Sequence, residues 1–152
     1  MKKTNVIIII LVILLVAVSI GFINIKLQKD RMQKEIDDTF SNSYHNLTLN
    51  MLNQTIEGIS EDAVHMYNVE NTKWSSIISN YYHLTSFYKY KNSDLNYIIS
   101  MLSQSSGYNA VTEINMNLEL YRKIKVVPTD YFNNEKILRE AKEAIKDALI
   151  EK

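Results

Sequence analysis

His45, His65 and His83 are the only histidines in this chain, and imidazole is the side chain best suited to proton transfer or metal ligation near neutral pH. Only one of them has company. Glu57, Glu61 and His65 are spaced at steps of four, which would put two carboxylates and an imidazole on one face of a continuous helix. Gly58 and Ser60 interrupt that stretch and predict a helix boundary there, which scatters the three groups. The segment therefore reads as a solvated helix start. Asp37 and Asp38 are a second carboxylate pair, but helix neighbours point about 100° apart and do not share a site.

Other chemistries are excluded by residue type. Gly21, Gly58 and Gly107 are the only glycines and are followed by Phe22, Ile59 and Tyr108, so no phosphate loop, nucleophile elbow or dinucleotide loop can be built. With no cysteine, there is no disulfide, thiol nucleophile, zinc-thiolate site or acylated lipoprotein cysteine. Net charge is zero; Lys2 and Lys3 take two of the seventeen bases, so fifteen bases face seventeen acids beyond residue 25. A slightly acidic domain lacks the basic face that nucleic acid requires. The expectation is a non-enzymatic protein with no cofactor, no metal and no nucleic-acid partner. No family resemblance emerges from its motifs.

Aromatic density stands above this background. Tyr81, Tyr82, Phe87, Tyr88 and Tyr90 crowd one segment, interleaved with His83, Lys89 and Lys91. On one continuous helix, Tyr81, Leu84 and Tyr88 would face a core, while His83, Phe87 and Tyr90 would form a second ridge. Amphipathic aromatics favour interfaces. Tyr82, His83, Phe87 and Tyr90 are therefore the expected contacts for a partner.

The elements that position these residues begin with an apolar run. Val6 to Ile23 holds no charge, and Ser19 is its only hydroxyl. As a helix it is roughly 27 Å long, close to the bilayer's hydrocarbon thickness. Residues 1–5 read as a short basic tail, 6–25 as a transmembrane anchor centred on Ile8, Leu11, Leu14, Leu15 and Val18, and 26–152 as one helical domain. A cleaved signal peptide is the alternative, with Ala17-Val18-Ser19 as its cleavage site, but the apolar character runs on through Ile25. Lys26, Lys29, Arg31 and Lys34 come just after the span, so a bare positive-inside count favours the reverse topology. A very short basic leader before an apolar run is nonetheless the arrangement that exports the C-terminal domain. The expectation is a single-pass cell-membrane protein, N-terminus cytoplasmic and domain extracytoplasmic.

Scarcity of glycine and the single Pro128 argue against a many-stranded fold. The expected fold class is all-α: the anchor, then a small bundle built on a long helical hairpin plus shorter helices. The first helix carries Leu27, Met32, Ile36, Phe40, Tyr44, Leu47, Met51 and Ile56 as an apolar stripe, and Ser41-Asn42-Ser43 predicts a kink or break near 41–46. Ser60 caps a second helix, with Val64, Tyr67, Trp74, Ile77, Ile78, Tyr81, Leu84 and Tyr88 on its inner side, ending near Lys91. Ser93 caps a third, Leu95 to Ser103. A fourth runs through Val111, Ile114, Leu118 and Tyr121; Lys125-Val126-Val127 is extended before Pro128. The last, about Asn133 to Glu151, buries Leu138, Ala141, Ile145, Ala148 and Leu149. Its pairs Glu135/Arg139, Lys136/Glu140 and Arg139/Glu143 are spaced for surface ion pairs.

The leading expectation is an interaction protein of the bacterial envelope, binding the bilayer through its anchor and a protein or its own copies through its domain. The Ile-, Asn-, Lys- and Tyr-rich composition points to an AT-rich bacterial genome. A sensor or ligand-binding module acting with a partner subunit is the second reading. An exposed apolar groove along one helix favours the first, and a buried polar cluster the second.

Overall fold

The computed structural model describes residues 3–90, 92–107, 110, 112–128 and 134–150. Five α-helices account for most of them. The first, α1, is the 51-residue helix Lys3–Asn53. The chain divides into two compact units, and the boundary falls inside this helix, between Glu35 and Ile36.

In the first unit every large apolar side chain from Ile7 to Ile25 is exposed, Ile8, Leu11, Leu14, Leu15 and Val18 among them. Among the described residues this is the one helix long and apolar enough to cross a membrane. Leu27 and Met32 are exposed too.

The second unit is a helical bundle. From α1 it takes Phe40, Tyr44, Leu47 and Met51, all buried, at steps of four, three and four. No break interrupts α1 at residues 41–46. Ser43 Oγ donates to the Thr39 carbonyl at 2.8 Å and Thr48 Oγ1 to that of Tyr44 at 3.0 Å, so these hydroxyls bond within the helix instead of diverting it. Beyond Asn53 the helix unwinds, Gly58 takes a positive φ of 79°, and Ile56 is exposed. Ser60 then caps α2 (Glu61–Tyr82), its hydroxyl accepting from Ala63 N, with Glu61 and Asp62 in the first turn. The two helices run antiparallel: Gln54 bonds Asn68, while Phe40 meets Tyr82.

A 3-10 turn, Phe87–Tyr90, leads to α3 (Ser93–Gln104), α4 (Leu118–Ile124) and α5 (Glu135–Asp147). Each of these α-helices begins on an asparagine: Asn92, Asn117 and Asn134 side chains accept from backbone N–H groups two or three residues on. The cap of α3 is thus Asn92, not Ser93. Leu95, Ile98, Ile99 and Leu102 of α3, Leu120 and Ile124 of α4, and Leu138, Ala141 and Ile145 of α5 complete the core.

Further sequence expectations change. Ile114 is not helical: β1 (Glu113–Ile114) pairs antiparallel with β2 (Leu149–Ile150), because α5 stops at Asp147 and its exit returns alongside β1. Val111 lies outside the described residues, as do the expected helix limits Asn133 and Glu151. Lys125–Val127 forms a turn, with Lys125 N on the Tyr121 carbonyl at 2.9 Å and Val127 N on that of Ile124 at 3.1 Å. Proline restricts only the residue before it, and the turn drops Val127 into the core. Of the three ion pairs expected on α5, Lys136–Glu140 forms, at 3.8 Å. Lys142 instead reaches Asp94 of α3 at 2.7 Å, a half-buried pair that ties two helices together.

Candidate interaction surface

The aromatic segment is organised by where α2 ends. It stops at Tyr82, not near Lys91, which lies outside the described residues. Thr85 Oγ1 donates to the Tyr82 carbonyl at 2.7 Å, and Ser86 offers both its N–H (2.8 Å) and hydroxyl (2.6 Å) to the carboxylate of Asp37. Short hydroxyl side chains thus offer the backbone an exit, and α1 holds it.

This early stop removes the expected His83/Phe87/Tyr90 ridge. Tyr82 is 5% exposed, within ring contact of Phe40 at 5.8 Å. Phe87, half-buried, turns back onto the same Phe40 at 6.0 Å. Tyr88 packs edge-on against Tyr82 at 5.3 Å and His83 at 4.7 Å. His83 remains exposed; the Tyr90 side chain lies outside the described residues. Tyr82 and Phe87 are therefore core packing, and the aromatics seal one corner of the bundle. The Tyr82 hydroxyl donates to Asn96 Oδ1 at 2.5 Å, and burial, with Tyr88 beside it, pushes the phenol up to about 12. Tyr44, wholly buried, donates to the Ile124 carbonyl at 2.9 Å, and burial raises its phenol well above the usual range.

The face of α2 is rotated from the expected one. Its buried residues are Asn71, Ser75, Ile78 and Tyr82, so Tyr81 and Leu84 turn outward. They join Met66 (63% exposed) and Val69 (56%) in an apolar stripe with Lys73 between. Sequence periodicity missed it because hydrophobicity pointed the wrong way. The signal available was polar: Asn71 and Ser75 sit four apart and continue to Ile78 and Tyr82.

What lets α2 bury an amide is an answering set on α1 and the turn just past it. Asn71 Nδ2 donates to Gln54 Oε1 at 3.1 Å, Gln54 Nε2 to Asn68 Oδ1 at 2.7 Å, and Asn50 Nδ2 to Glu70 Oε2 at 3.1 Å. Asn71 Oδ1 stays buried without a partner among the described residues. Gln54 and Asn68 also line a cleft of about 420 Å³ with Met51, Thr55, Ser106 and Asn115. A second cleft, about 290 Å³, opens beside Tyr82, His83, Tyr88 and Asn96.

His45, His65 and His83 are all exposed and fall on different elements. Glu57 precedes α2 while Glu61 and His65 lie on it. Among the described residues no three His, Cys, Asp or Glu side chains gather as metal ligands. Comparison with protein-family models, curated proteins and solved structures gives no match.

Proposed function

We propose that this chain is a single-pass membrane-anchored protein of the bacterial envelope. In this reading it is non-enzymatic and its extracytoplasmic helical domain binds another protein or its own copies. The observation that carries the reading is the exposed apolar surface of Ile7–Ile25, which in water would cost far more than a domain of this size can sustain. A bilayer removes that cost. The stripe Met66, Val69 and Tyr81 on α2 is the apolar surface offered to a protein partner, in place of the sealed aromatic corner. A photoreactive residue at Val69 should give a discrete adduct in intact cells, while one at exposed Asn80 should not. Equal labelling from both positions would contradict this choice of surface.

The amide cluster beside the larger cleft favours a second reading, a ligand-binding module acting with a partner subunit. Those amides are mostly spent on each other, which supports a role in fixing helix register instead. Gln54→Leu separates the two: loss of stability alone fits register, and altered signalling at unchanged stability fits a ligand.

A further inference from the structure

Directly after the apolar run, α1 carries Lys26, Lys29, Arg31 and Lys34, with Asp30 the only acid among them. All four bases are exposed. Solvated ion pairs are their ordinary fate, and the spacing is there: Asp30 lies four residues after Lys26 and four before Lys34, and Glu35 four after Arg31. Yet among the described residues none of these bases stands within ion-pair distance of a carboxylate. Two of these pairs run base before acid, the weaker arrangement on a helix; Asp30–Lys34 runs in the favourable order and is open as well.

Helix geometry turns the bases elsewhere. Every Cα–Cβ bond tilts toward the helix N-terminus, so these long side chains lean back toward Ile25. From Lys26 to Lys34 the helix rises about 12 Å, about one and a half times the ~8 Å Debye length at physiological salt. A net charge of +3 over this stretch gives way to Glu35, Asp37 and Asp38.

We propose that residues 26–34 form a basic collar that binds the headgroups of anionic phospholipids around the anchor. This rests on the membrane-anchor reading. Anionic headgroups supply the negative counter-charge that the helix itself withholds, and each base held near such a surface strengthens association roughly fivefold.

The test uses the full chain reconstituted into phosphatidylcholine vesicles carrying a minority of phosphatidylglycerol. Electron spin resonance of spin-labelled lipids reads which headgroup accumulates at the protein. The parent should favour the phosphatidylglycerol probe severalfold over the phosphatidylcholine probe, and the triple variant Lys26→Gln, Lys29→Gln, Lys34→Gln should lose most of that preference. Added salt should weaken it in the parent. Equal association of both probes with the parent, or an unchanged preference in the triple variant, would overturn the collar while leaving the anchor standing. A chain that fails to float with these vesicles would overturn the anchor itself and the collar with it.

Discussion

Two apolar stretches of one helix behave in opposite ways. From Ile7 to Ile25 the large apolar side chains point in every direction and all are exposed; from Phe40 to Met51 the stripe Phe40, Tyr44, Leu47 and Met51 steps by three and four and is buried, with half-buried Leu49 off it. The first stretch is apolar almost throughout, whereas the second interleaves its apolar residues with Ser41, Asn42, Ser43, His45, Asn46, Thr48 and Asn50, so composition and period differ together. A stripe matches one neighbouring surface, whereas an all-round apolar helix needs an all-round apolar solvent.

Charges placed in the two stretches should separate them most sharply. Leu47→Asp puts an unpaired carboxylate in the core and should abolish cooperative unfolding of the domain, read by circular dichroism on heating. Leu11→Asp with Leu15→Asp should leave that melt unchanged. The pair adds about 6 kcal/mol to the cost of membrane insertion, comparable to the whole apolar gain, so the chain should shift to the soluble fraction.

Smaller effects sharpen the bundle side. Gly107 has a φ of 94°, and a Cβ there would run into Thr72 of α2. Gly107→Ala should cost about 2 kcal/mol or more in denaturant unfolding, from strain and clash together. Asp37→Ala removes the carboxylate that holds Ser86 and should cost about 1–3 kcal/mol. Gly58 has a φ of 79° but open surroundings, so Gly58→Ala should cost only about 1 kcal/mol.

Alkaline pH should act through Tyr82. Its phenol is raised from 10.0 to about 12 in the folded state, so its stabilising effect is complete below pH 10 and is lost as pH rises toward 12. The melting temperature should therefore fall across that window, and Tyr82→Phe should reduce the fall in part, buried Tyr44 supplying the remainder.

Much of the fold is legible in the sequence, for identifiable reasons. The faces Phe40/Tyr44/Leu47/Met51 and Leu138/Ala141/Ile145 are clean apolar stripes, and both are buried. The break at Gly58 and the cap at Ser60 are local chemistry and equally plain. The second helix departs from its sequence pattern because its buried side is half polar. Ser75 enters the core because its hydroxyl bonds the Thr72 carbonyl within its own helix, and Asn71 because Gln54, just past the end of α1, accepts from its amide. No local pattern encodes that agreement. The same limit displaces the candidate site: Thr85 and Ser86 end the helix with help from Asp37, forty-nine residues earlier in the chain. Asparagine abundance, a mark of composition in the sequence, also supplies three of the helix caps.

The anchor is tested most directly by washing cell membranes with alkaline carbonate and weighing the retained chain by mass spectrometry. The chain should remain in the membrane pellet with residues 6–25 still attached. Release into the wash, or a mature chain lighter by about 2 kDa through removal of a signal segment, would contradict the account.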